Sequence, residues 1–135
     1  MSQAPMAIAD VRPHDSTVRT VDREEEVRTL LRALEDADCR TILKATGEEA
    51  LSANDIAEKF DLPTSTVYRK LERLADAGLI EERIRIHRSG RHVSEYCLCV
   101  RDVRFSVGGD GGAELEVTRR EREQPRWSLA ARTER

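Results

Sequence analysis

The sequence predicts an α+β fold, mainly α with a β-hairpin after the last helix and an extra C-terminal β-hairpin, and three observations carry this. Apolar residues recur at helical spacing in four segments between residues 22 and 77. Alternation of period two then takes over on both sides of Ser89-Gly90, and again on both sides of "GGDGG" at 108–112. A switch from period 3.6 to period two is the signature of helices giving way to strands. With 135 residues and 39% hydrophobic content, the chain is long enough for one compact core plus tails.

Residues 1–20 mix small, polar and proline residues without a period, and the expectation is a disordered or loosely attached tail. Asp22 and Glu25 then resemble a capping box, and Glu24, Glu25 and Glu26 place negative charge at a helix N-terminus. Val27, Leu30, Leu31 and Leu34 follow at the spacing of one helical face, predicting a helix over 22–35. A second helix is expected to start at Asp36 or Asp38, carry Cys39, Ile42, Leu43 and Thr46 along one stripe, and stop at Gly47.

Ser52 with Asp55 three residues on predicts the cap of a short third helix, whose apolar face is Ile56, Ala57 and Phe60. Asp61-Leu62-Pro63 makes a turn, and proline is tolerated there because the first residues of a helix need no N–H. The fourth helix, 64–77, turns Val67, Leu71, Leu74 and Ala75 inward, leaving Ser65, Arg69, Glu72, Arg73 and Asp76 outside, with Thr66 and Lys70 on one flank and Tyr68 on the other. After Gly78, Ile80, Ile84 and Ile86 alternate with charged residues into a hairpin with a basic tip. Val103, Phe105 and Val107, then Leu115 and Val117, flank the second turn. The domain reading is a tail at 1–20, one domain at 21–100, a hairpin at 101–118 and a charged tail with Trp127 at 119–135.

The net charge of −3 argues against nucleic-acid binding through bulk charge, so any such binding needs a local patch. Arg83, Arg85, Arg88 and Arg91, with His87 and His92, supply one: no acidic residue lies between Arg83 and Val93. A short helix, a tight turn and a longer helix whose outer face bears hydrogen-bonding groups are the parts of a helix-turn-helix, in which the second helix enters the major groove.

The stretch "LSANDIAEKFDLPTSTVYRKLERLADAGLIEER", followed by "IRIHRSGRHVSEYCL", resembles the winged helix-turn-helix regulators of the ArsR and MarR type. "LEDADCRTILKAT" looks like their first core helix, and the likeness spans roughly residues 34–100. It implies a winged helix-turn-helix fold, double-stranded DNA as partner, and Ser65, Thr66, Tyr68, Arg69 and Lys70 facing DNA; Arg73, on the same outer face, and Thr64, at the helix start, join them as candidate major-groove contacts. Arg85, Arg88, Arg91 and His92 would then touch backbone or minor groove from the wing. Pro63 stands where the family often has Ser, which moves the cap to Thr64 or Ser65. The resemblance also implies a homodimer, for which Val27, Leu30, Leu31 and Leu34 are the candidate interface, with the hairpin 101–118 as a second candidate.

Two other readings stand beside this one. A winged helix can serve as a protein-interaction module of the transcription machinery without specific DNA binding. Cys97 and Cys99, spaced to share one face of a strand, are candidates for a metal or thiol sensor, although no third or fourth ligand accompanies them and structural thiols are the plainer reading. No enzyme is expected: "GGDGG" sits between strands rather than before a helix, and no nucleophile and base are spaced as a site. No cofactor or effector is implied. The lack of a long apolar run or a signal sequence, and the odd cysteine count, predict a soluble cytoplasmic protein without a membrane partner.

Overall fold

The computed structural model describes residues 16–120. Its order is β1 (Ser16–Val21), α1 (Glu24–Glu35), α2 (Ala37–Glu48), β2 (Leu51–Ser52), α3 (Ala53–Phe60), α4 (Thr64–Asp76), β3 (Ile80–Ile86), β4 (His92–Leu98), β5 (Val100–Val107) and β6 (Ala113–Arg120). Four helices and two antiparallel three-stranded sheets, β2-β4-β3 and β1-β6-β5, make an α+β winged helix-turn-helix with an added C-terminal sheet. No helix among the described residues is long and apolar enough to cross a membrane.

The first departure from expectation is β1. Ser16–Val21 is a strand, not a tail, and pairs with β6 from Ser16↔Arg120 to Val21↔Leu115. Alternating Val, Arg and Thr is ordinary strand chemistry, but only a partner 94 or more residues later makes it a strand rather than a tail. The rest of the expected tail, 1–15, and 121–135 with Trp127, lie outside the described residues.

Local signals explain most of the helix ends. Asp36 caps α2 by accepting from the backbone N–H of Asp38 and Cys39. Ser52 and Asp55 form the expected reciprocal capping box on α3. The expected box at Asp22 and Glu25 is absent: Arg23 occupies the cap position and no side chain caps α1. Gly47 does not end α2 but lies inside it, and a Cβ there would sit 2.9 Å from the Leu98 Cδ2. Its small size, not its backbone freedom, is what the packing uses. In α4 the exposed Ala75 is not on the apolar face; Ala77, just past the helix, is buried instead.

One hydrophobic cluster runs through all of this. Leu30, Ile42, Ile56, Leu74, Leu79 and Leu115 are fully buried side chains, each stabilising the fold by about 1.5–3 kcal/mol relative to exposure. Val21, Val100, Leu115 and Val117 belong to the same cluster as the helices, so the C-terminal sheet is part of the domain's core rather than an appendage. Val27 and Leu30 also point into that core, at 6% and 2% exposure. They are therefore unavailable as a dimer interface, and Leu34 is packed against the core as well. Leu31, at 37% exposure, is what α1 leaves outside of the expected four.

Candidate nucleic-acid interface

The turn between α3 and α4 sets the angle of the candidate reading helix. Asp61 adopts φ 55°, ψ 52°, a left-handed conformation that Asp tolerates better than most residues, and the Leu62 N–H reaches back to the Ala57 carbonyl at 3.0 Å. Pro63 then starts α4 without a side-chain cap, and its first turn has no acidic residue. The N-terminal amides of α4 are thus left for solvent or a ligand, with the positive end of the helix dipole behind them. At the other end Gly78, at φ 76°, closes the helix: its N–H meets the Ala75 carbonyl at 2.9 Å and the Leu79 N–H the Leu74 carbonyl at 3.0 Å.

The outer face of α4 divides in two. Thr64, Ser65 and Arg69 are exposed, Thr66 is half-buried, and Tyr68 is 54% exposed. Lys70 and Arg73, expected among these, are instead paired with an acid, and Lys70 is drawn inward. Lys70 Nζ lies 2.6 Å and Arg73 Nη1 3.0 Å from Asp36 Oδ2, and the Lys70 side chain is only 14% exposed. The Lys70 hydrogen bond holds the Asp36 carboxyl below its ordinary range against the opposing effect of burial. Asp36 thereby does two things: it caps α2 and it ties the middle of α4 to that cap. This anchor was missed in the sequence; Asp36 is visible there as a cap, but a partner 34 residues away has no local signature.

A similar division occurs in the wing. Arg85 Nη1 is 2.9 Å from Glu95 Oε2, a carboxylate that is 5% exposed, and Arg83 Nη2 is 3.5 Å from Glu81 Oε1. The wing's first strand is therefore partly neutralised by acids outside the acid-free stretch, and Arg85 is a structural ion-pair partner before it is a contact. Arg88, Arg91 and His92 are exposed at the tip and make no ion pair among the described residues. Ile84 and Ile86, which alternate with the charged residues of β3, are 56% and 66% exposed: they continue the face that Ile80 begins, past the point where the core ends.

The cysteines do not form a pair on one strand. Cys97 is half-buried near the end of β4 and Cys99 lies in the buried link to β5, where its thiol donates to the Gly78 carbonyl at 3.4 Å. Burial pushes both thiols up, which disfavours the thiolate that metal binding or oxidation needs. Among the described residues no group of three or more His, Cys, Asp or Glu is arranged to hold a metal ion.

A family model described as a helix-turn-helix domain matches residues 34–83. The match starts at the last turn of α1, covers α2, β2, α3 and α4, and ends within β3, so it contains the uncapped α4 N-terminus and its Asp36 anchor. No curated protein matches the chain.

Proposed function

We propose that the chain is a sequence-specific DNA-binding transcriptional regulator, acting in the cytoplasm as a homodimer. In this reading the N-terminal half of α4, with Thr64, Ser65, Thr66, Tyr68 and Arg69, reads base edges in the major groove. Arg88, Arg91 and His92 at the wing tip hold the flanking backbone or minor groove. Lys70 and Arg73 set the height and angle of the helix and do not contact DNA directly.

The observation that carries the reading is the sorting of the cations. Those on the C-terminal half of α4 and at the base of the wing are paired with acids, whereas Arg69, Arg88 and Arg91 make no ion pair among the described residues. The start of the helix that carries Arg69 is uncapped and acid-free. A net-acidic protein needs such a local concentration of unpaired positive groups to meet phosphates.

Selection of bound sequences from random duplexes, followed by affinity measurements across a salt series, tests this. Arg69→Ala should weaken binding to the selected site by about 1–3 kcal/mol and relax preference at one position. Arg88→Ala should weaken binding uniformly and reduce the salt slope by about one unit. If no sequence is enriched and neither substitution changes affinity or slope, the protein-interaction reading replaces this one.

A further inference from the structure

Among the described residues, the C-terminal sheet has an edge that nothing pairs with. The order β1-β6-β5 makes β5 an edge strand, and its second half has no lysine, proline or bulge to guard that edge, only the single charge of Arg104. The only irregularity lies at its start, between Val100 and Asp102. Phe105 and Val107 are 51% and 62% exposed, although they share a sheet face with buried Leu115 and Val117 by register.

The hydrogen-bond phase of the hairpin fixes which backbone groups face the open side. The Gly108 N–H donates to the Gly112 carbonyl at 2.8 Å, so Gly108 and Gly112 are a hydrogen-bonded pair, and such pairs alternate along an antiparallel ladder. Ser106, Arg104 and Asp102 therefore direct their backbone groups at β6. Val103, Phe105 and Val107 direct theirs outward. The residues with unsatisfied edge amides are thus the same ones whose apolar side chains lie on the core side of the sheet.

We propose that a second copy of this chain pairs antiparallel along β5, with Phe105 opposite Phe105 of the other copy and Val103 opposite Val107, giving one continuous six-stranded sheet. This deepens the homodimer part of the proposed function and does not rest on the DNA contacts. The register satisfies about six N–H groups that otherwise face water and sets every exposed apolar residue of the strand against another. On the opposite face it is complementary in charge. Arg104, already across from Glu116 in its own sheet, meets the short Ser106 of the second copy. Beyond that serine stands the second copy's Glu114, its own cross-strand partner. Pairing centred on Arg104 would instead set two arginines directly opposite each other, which is destabilising.

The test is made without DNA, so that its outcome is separate from that of the salt series. The wild-type chain should scatter light as twice its 15.3 kDa, and Phe105→Cys should form an oxidised cross-link, because hydrogen-bonded antiparallel neighbours have Cα atoms about 5.5 Å apart, within disulfide reach. Val18→Cys, exposed on the opposite edge strand β1, should not. Phe105→Arg should raise the dimer dissociation constant roughly thirtyfold or more, as expected of a central interface residue, with the melting profile of the folded chain retained. A monomeric wild type overturns the proposal, as does cross-linking through Val18→Cys in place of Phe105→Cys. A dimer that survives Phe105→Arg but is lost in Trp127→Ala also overturns it, since the contact would then lie in the C-terminal segment.

Discussion

The wing and the C-terminal hairpin are closed by the same turn and yet present opposite surfaces. In the wing the His87 N–H donates to the Arg91 carbonyl at 2.7 Å and the Gly90 N–H to the His87 carbonyl at 2.8 Å; in the second hairpin Gly108 and Gly112, then Gly111 and Gly108, do the same at 2.8 and 2.9 Å. Gly90 and Gly111 sit at φ 90° and 87°, the left-handed position of a three-residue hairpin loop. Around that shared backbone the wing places Arg88, Arg91, His87 and His92. The other hairpin places Asp110, whose carboxylate takes the Gly112 N–H at 2.9 Å, and four glycines. Their strands differ as well: β6 lies between β1 and β5 with Leu115 and Val117 at 1% and 2% exposure, while the outer half of β3 leaves Ile84 and Ile86 in solvent. Turn geometry alone does not assign a role. Anchorage and charge do: the C-terminal hairpin enters the core close to its turn, at Leu115, whereas the wing reaches the core only at its base, through Ile80 and Tyr96.

The largest effects should fall on the anchored side. Leu115→Ala removes a fully buried side chain from the joint between sheet and helices and should cost about 2–5 kcal/mol in denaturant unfolding. The matching change in the wing, Ile84→Ala, should stay within about 0.5 kcal/mol because the side chain is already mostly in water. Equal losses at the two positions would break the distinction.

The distinction extends to the cations, where Asp36 is the anchor. Asp36→Ala removes a helix cap and leaves Lys70 without its closest partner, and should cost about 2–3 kcal/mol. Because the folded-state carboxyl is held below its ordinary range, the stabilisation is complete above that range, near pH 4, and is lost as pH falls through the lowered value. Acid unfolding curves of Asp36→Asn should accordingly show a smaller loss of stability below about pH 4 than the wild type. Arg88→Ala and Arg91→Ala, by contrast, should leave stability unchanged and each reduce the salt slope of DNA binding by about one unit.

Much of this arrangement was legible in the sequence. Ser52 and Asp55, Pro63, Gly78 and the period change at Ile80 act over a few residues, and each did locally what its chemistry dictates. The sequence failed wherever the deciding partner was distant. Ser16–Val21 reads as a tail until β6 is beside it. Lys70 and Arg73 read as DNA contacts until Asp36 meets them, and the wing reads as acid-free until Glu95 crosses from the neighbouring strand. Gly47 shows another kind of failure: a glycine near a helix end suggests a stop, and only the packed Leu98 shows that space was the requirement. The apolar face of α1 was correct at Val27 and Leu30, but periodicity cannot say whether such a face is covered by the same chain or by another.

An effect smaller than the losses at Leu115 and Asp36 is also the closest test of the comparison, because it changes the feature that the hairpins share. Alanine at Gly90 or Gly111 meets no neighbouring atom within 4 Å, so steric crowding plays no part, and the cost is the left-handed backbone alone, about 1–2 kcal/mol. In the C-terminal hairpin that strain is transmitted through the paired strands to Leu115 and the core. Gly111→Ala should therefore lower global stability by a large part of that amount. In the wing the tip can loosen by itself, so Gly90→Ala should change global stability by less than about 0.5 kcal/mol. It should instead weaken DNA binding by disordering the groups beside Arg88 and Arg91. Amide exchange would separate the two: faster exchange confined to 86–92 in Gly90→Ala, and faster exchange spreading into β1 and β6 in Gly111→Ala. The reverse pattern would mean that the wing, rather than the C-terminal sheet, is the hairpin coupled to the core.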